Sequence, residues 1–185
     1  MRKRIIFIGG GTRSGKSAFA LAVARRMGER RLFLATAQAG DNEMSERIRR
    51  HRHARGEDFL TIEEPLAVIE AIRRHANYDV ILFDCLTLWL SNLLLEGKEP
   101  EAVLRQVEDL AAVLASRSLH AVVVSSEVGL GIVPETSLGR TFRDVAGLAH
   151  QRMSAIADEV YFAVLGTLLR IKPWPAFLDP AEIPG

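Results

Sequence analysis

The chain has 185 residues, enough for one domain with a real core and too short for two comfortable ones. Hydrophobic residues make up 48%, which excludes disorder, and 24 Lys plus Arg against 23 Asp plus Glu exclude a polyanion binder by net charge. The single cysteine, Cys85, excludes an intramolecular disulfide and fits a reducing compartment.

After a basic start, the apolar run IIFI spans only four residues before the glycines, too short for a signal-peptide core or a membrane span. A cytoplasmic protein with no membrane span is expected. RIIFI (4–8) predicts a buried strand, and 16–27 a helix stopped at Gly28. RLFLA (31–35) is a second strand. Residues 41–55 read as a helix with Asp41 as N-cap, and FLTIEEP (59–65) as a short extended piece stopped by Pro65. A helix over 66–75 leads to a core strand at 78–86, and the apolar run to Leu95 reads as helical. An amphipathic helix (99–117), a core strand (120–129) ending in a glycine-rich loop, and a helix (137–157) follow. Residues 159–172 read as two strands turning at Leu165-Gly166. The tail PWPAFLDPAEIPG carries four prolines and reads as an irregular appendage. Strands alternating with helices predict an α/β three-layer sandwich, mainly parallel, with one antiparallel C-terminal strand. With no internal repeat and no linker, one domain is expected over 1–172, followed by a Pro-rich tail at 173–185.

The first motif lies at the end of the first strand. Gly10, Gly15, Lys16 and Ser17 fit G-x-x-x-x-G-K-[ST] between a strand and a helix. Glycines let backbone amides converge on phosphate oxygens, and the helix N-terminus adds positive potential. Lys16 is placed to reach the terminal phosphates, and Ser17 offers a hydroxyl to Mg²⁺. This predicts a P-loop NTPase-like fold. Asp84 ends the run VILFD at the carboxyl edge of a parallel sheet, where ligands bind, and is the second candidate metal ligand.

The stretch ERIRRHRHARG (46–56) packs five arginines and two histidines. On a helix, Met44, Ile48, His51 and Arg55 form one stripe that faces the protein, whereas His53 lies about 200° from His51 and points outward. Arg49, Arg50 and Arg52 lie mostly off the stripe. Three readings remain for this segment. The first is a half-buried histidine on a solvated basic helix, favoured when the segment is taken alone. The second is a nucleic-acid arm, which lacks nearby aromatic partners other than Phe59. The third is a His51 nucleophile attacking a nucleotide α-phosphate, with arginines carrying the phosphate charge.

The segments GGTRSGKS (10–17), ATA (35–37), DNEMSERIRRH (41–51), T-x-E-x-P (61–65), DCLTLWLSN (84–92), SEVGLGIVP (126–134) and R-x-FRDVAG (140–147) resemble a known family. It is the bifunctional adenosylcobinamide kinase / adenosylcobinamide-phosphate guanylyltransferase family of cobalamin biosynthesis, and the likeness runs from about residue 4 to residue 172. It implies phosphorylation of the aminopropanol arm of adenosylcobinamide by ATP or GTP. It also implies transfer of GMP from GTP to that phosphate through a covalent GMP-histidine, which falls on His51. Arg52, His53, Ala54 and Arg55 fall where the family contacts nucleotide. Glu63 falls on an acidic position suited to the N–H donors of guanine, and Asp84 on another.

The candidate nucleotide-binding set is therefore Gly10, Gly11, Thr12, Arg13, Ser14, Gly15, Lys16, Ser17, Ala35, Thr36, Arg52, His53, Ala54, Arg55, Glu63 and Asp84. His51 and Lys16 are the catalytic candidates, Ser17 and Asp84 the metal candidates. The partners implied are a corrinoid, nucleotides and Mg²⁺, with no nucleic acid, and the family implies a homotrimer. Thr12, Ser126 and His150 depart from residues common in the family, which has Ala, Asn and Asn there. His150 is the next nucleophile candidate after His51. The competing reading is a P-loop regulatory NTPase whose basic helix docks a partner protein and which forms no covalent GMP adduct.

Overall fold

Short runs of β-branched and aromatic residues that are apolar on both sides form the centre of the molecule. In the computed structural model, which describes residues 2–38, 49, 56–116 and 118–173, they make one seven-stranded sheet. The strands are β1 (Ile5–Gly10), β2 (Arg31–Ala35), β3 (Leu60–Glu63), β4 (Val80–Asp84), β5 (His120–Ser126), β6 (Glu159–Val164) and β7 (Thr167–Lys172). Their order is β3-β2-β4-β5-β1-β6-β7. All neighbours are parallel except β6 and β7, which form an antiparallel hairpin. Leu165 and Gly166 turn that hairpin with φ of 51° and 74°, the positive values that a two-residue turn of this hand requires.

Pleating sends alternate residues of each strand to opposite faces. Ile6, Ile8, Phe33, Leu82, Val122 and Val124 pack on one side with Ala20, Leu21 and Ala24 of helix α1 (Lys16–Arg25). Phe7, Leu34, Ile81, Phe83 and Val123 pack on the other. There the described helices are α2 (Val68–Arg74), α3 (Leu86–Leu95), α4 (Pro100–Ala115) and α5 (Ser137–Ile156). The three layers expected from the sequence are present, with strands covered on both faces as parallel sheets require. Trp89 of α3 is the largest fully buried side chain among the described residues; its indole N–H donates to the Leu66 carbonyl at 2.9 Å, and its ring meets Phe83 edge-on. Burying a side chain of this size is worth about 1.5–3 kcal/mol, which anchors α3 against β4.

Boundaries differ from expectation in two informative places. Strand β1 continues through Gly9 and Gly10, which pair with Ser125 and Ser126 on one side and Phe162 and Ala163 on the other. The apolar run from residue 78 breaks at Asp84, so that Leu86 already belongs to α3. The expected helix over 41–55 and its Asp41 cap lie outside the described residues, apart from Arg49, which is helical and exposed. The tail from 174 onward lies outside them as well. No helix among the described residues is long and apolar enough to cross a membrane.

Candidate active site

The loop between β1 and α1 bends where side chains would obstruct it. A Cβ on Gly10 would stand 2.5 Å from the Ala163 carbonyl oxygen and 2.8 Å from the Ser14 hydroxyl, so only glycine fits. Gly15 caps α1 at φ 93°, and Arg13 adopts φ 56°. The first turn of α1 carries no acidic residue, so nothing on the helix neutralises its positive end. Lys16 is only 6% exposed, and its Nζ donates back to the Gly11 carbonyl at 3.0 Å. Ser14 is buried, and its hydroxyl has no hydrogen-bond partner among the described residues. Thr12 and Arg13 are exposed and Ser17 is half-buried. The loop thus brings a buried ammonium group and a buried hydroxyl together beside the start of α1.

The other described candidates share the carboxyl edge of the sheet with this loop. Ala35 stands opposite Asp84 on one side and Glu63 on the other. Thr36, fully buried, donates from Oγ1 to the Cys85 carbonyl at 2.8 Å and accepts from the Cys85 N–H at 2.9 Å. Its backbone N–H donates to the Asp84 carbonyl at 3.2 Å, and Asn92 donates to its carbonyl at 2.9 Å. Asp84 is therefore held from the backbone. The Cys85 thiol is pushed up to about 11, by burial first and then by the Asp84 carboxylate, while Lys16 pulls it the other way. Lys16, at the start of α1, and Asp84, at the end of β4, thus act on the same spot. Cys85, buried and protonated, is no nucleophile. Glu63 ends the edge strand and is exposed; its neighbour Glu64 accepts from the Leu66 and Ala67 amides and so opens α2. His51, Arg52, His53, Ala54 and Arg55 lie outside the described residues, as do Met44 and Ile48 of the proposed stripe.

Sequence reasoning missed one constellation at this edge. Glu127, directly after β5, donates its N–H to the Gly10 carbonyl at 3.0 Å. Its Oε2 lies 3.6 Å from His150 Nδ1, and His150 Nε2 lies 2.7 Å from the Ser125 hydroxyl. Thr87 continues the chain, 3.3 Å from Ser125 and accepting from the Ser126 amide at 2.7 Å. Burial holds His150 below the ordinary imidazole value against the opposing pull of Glu127. The signal available in the sequence was a carboxylate immediately after a buried strand, together with a histidine on the apolar face of α5.

Comparisons with known proteins agree with this geometry. The family model described as cobinamide kinase / cobinamide phosphate guanyltransferase matches residues 6–171. The chain is 41% identical to the bifunctional adenosylcobalamin biosynthesis protein CobP of Pseudomonas aeruginosa over 90% of its own length and 96% of the relative's. It is 36% identical to the bifunctional adenosylcobalamin biosynthesis protein CobU of Escherichia coli over 91% and 99%. Among solved structures it is similar in fold to a KaiC-like protein of Pyrococcus horikoshii, with TM-score 0.50 and 12% identity over 87% of this chain and 71% of that one. It is also similar to a type III secretion system ATPase, with TM-score 0.55 and 11% identity over 87% of this chain and 51% of that one. These likenesses show the P-loop NTPase fold. The chain belongs to the cobinamide kinase / cobinamide phosphate guanyltransferase family.

Proposed function

We propose that this protein carries out two consecutive reactions on one corrinoid. A nucleoside triphosphate, ATP or GTP, first phosphorylates the hydroxyl of the aminopropanol arm of adenosylcobinamide. GTP then gives GMP to that phosphate through a covalent GMP on His51, yielding adenosylcobinamide-GDP and pyrophosphate. The observation that carries this reading is that one family match, residues 6–171, runs through a fully formed phosphate loop with buried Lys16 and Ser14 turned into it.

In this reading Lys16, Ser14 and the loop amides hold the β- and γ-phosphates, and Arg13 adds charge from the exposed rim. Thr36 and Ala35 support the edge beside Asp84. Glu63 accepts from the guanine N–H donors, and Arg52 and Arg55 carry phosphate charge while His51 attacks. Ser17 and Asp84 offer hard oxygens, and the described residues hold no cluster of three metal-binding side chains. That set fits Mg²⁺, which takes one or two protein oxygens and completes its shell with water and phosphate. When bound, the ion neutralises charge on the transferring phosphates. Attack by neutral imidazole splits nucleotidyl transfer into two in-line displacements. A homotrimer acting in the cytoplasm belongs to the same reading, and light scattering at three times 20.5 kDa checks the assembly.

The test is incubation with α-labelled GTP, followed by peptide mapping. Label on the peptide containing His51, discharged by adenosylcobinamide phosphate, is expected. A protein that hydrolyses GTP without ever holding label is a regulatory NTPase instead.

A further inference from the structure

We propose that Glu127 is the carboxylate that takes the proton from the acceptor hydroxyl in the phosphorylation step, and that His150 is the positioning residue that aims it. The inference rests on the kinase reading above.

Placement comes first. Glu127 follows β5, the strand between β1 and β4, and its amide is fastened to Gly10, where the phosphate loop begins. Strands lie about 4.8 Å apart, so the end of β5 is one spacing from the loop-bearing strand, Asp84 about 10 Å away across two and Glu63 about 19 Å away across four. The other acids of this edge have other work. Asp84 acts on the spot shared with Lys16, and Glu64 opens α2.

Orientation comes second. Exposure rises along the series of contacts: Ser125 is 0% exposed, and the His150 and Glu127 side chains are 15% and 27% exposed. A serine hydrolase would need the reverse order, with the hydroxyl outermost and the acid buried. Here the hydroxyl is the anchor and the carboxylate is the outward end. With neutral imidazole, the Ser125 hydroxyl donates to Nε2 and the ring proton sits on Nδ1, facing Glu127 Oε2. Glu127 Oε1 accepts from the Gly129 amide. Each carboxylate oxygen thus has one partner among the described residues and keeps a lone pair for an incoming hydroxyl.

The chemistry balances without further reagents. The acceptor oxygen bonds to the γ-phosphorus, and the bond from that phosphorus to the β,γ-bridging oxygen breaks. The electron pair leaves on the nucleoside diphosphate. The hydroxyl proton passes to Glu127 and then to water. Because the transition state of such transfers is loose, the carboxylate chiefly orients the hydroxyl and collects its proton late.

The test compares Glu127→Gln, Glu127→Asp, His150→Ala and His150→Asn. The readouts are the phosphorylation rate of adenosylcobinamide, nucleotide affinity by titration and the thermal unfolding midpoint. Glu127→Gln is expected to phosphorylate about 100-fold more slowly while binding nucleotide within about threefold of wild type. His150→Ala is expected to lower kcat about tenfold with KM unchanged, and His150→Asn, which still donates to the carboxylate, to recover most of it. A Glu127→Gln rate within threefold of wild type overturns the assignment. So does a loss of nucleotide affinity as large as the loss of rate, or a His150→Ala effect confined to KM. Should Glu127→Gln not fold, Glu127→Asp reads the same point: withdrawing the carboxylate by one methylene is expected to cut the rate at least tenfold, and a near-wild-type rate overturns the proposal. A wild-type protein that binds nucleotide but never phosphorylates adenosylcobinamide overturns the kinase reading itself, and this proposal with it.

Discussion

Thr36 and Cys85 exchange two hydrogen bonds across the tops of neighbouring strands, the threonine hydroxyl serving at once the N–H and the carbonyl of Cys85. Both groups are buried, so water cannot replace the hydroxyl. The bonds fix the peptide that follows Asp84, and through it the carboxylate proposed to meet the metal.

Thr36→Val keeps the shape and removes the hydroxyl. The buried Cys85 N–H loses its partner, at a cost of about 1–3 kcal/mol, while the Cys85 carbonyl keeps the Trp89 amide. The expected outcome is a urea midpoint lowered by the corresponding amount and weaker Mg²⁺ dependence of turnover, with Thr36→Ser restoring both. A valine variant as stable as wild type would show that the Thr36 N–H bond to Asp84 and the Asn92 bond suffice to hold the strand tops.

Lys16 is buried and already bonded to Gly11, so the loop is preset around its ammonium group. Lys16→Ala removes the charge aimed at the β- and γ-phosphates. Both phosphorylation and guanylyl transfer should fall by about 100-fold or more. Unchanged rates in this variant would remove the phosphate loop from both reactions.

The helix register expected for the basic segment sets its two histidines apart. His51→Ala should abolish the covalent GMP adduct and guanylyl transfer while sparing much of the phosphorylation, because Lys16 and Ser17 remain. His53→Ala should leave both steps within a few-fold, as substitutions away from special features cost about 0.5 kcal/mol or less. The adduct, a phosphoramidate, should break in acid and survive base. An acid-stable adduct points to a hydroxyl nucleophile and takes His51 out of the mechanism.

Stability should depend on pH through His150 and His120. Burial is the first cause that holds both below the ordinary value of 6.5, and His120 Nδ1 accepts from the Arg4 amide, which requires it unprotonated. Below that value the unfolded chain takes up protons that the native chain refuses, so stability is fully present above it and is lost as the pH falls toward the native values. The urea midpoint should drop between about pH 7.5 and about pH 5.5. The drop should be shallower in His150→Asn and in His120→Asn. Slopes identical to wild type in both variants would assign the loss to other groups.

The buried strands were legible because parallel strands covered on both faces read as continuous apolar runs. The phosphate loop was legible because its glycines and Lys16 are adjacent in sequence. Where apolar strand runs into apolar helix, from Val80 through Leu95, hydrophobicity alone hides the joint at Asp84, and only the fold reveals it. The extension of β1 into Gly9 and Gly10 was hidden too, since glycine disfavours strands until a neighbouring backbone needs the space. Glu127 and His150 are 23 residues apart, on a loop and a helix, and no local spacing announces such a pair.

Gly10 lies between β5 and β6, and a carbon added to it would meet the Ala163 carbonyl. The nucleotide loop thus precedes in the chain, by most of the sheet, the strand β6 that supplies its second wall. A nascent chain that stops short of β6 carries the whole motif yet lacks the surface against which Gly10 packs. Nucleotide capture is therefore expected of a chain whose sheet has closed around β1.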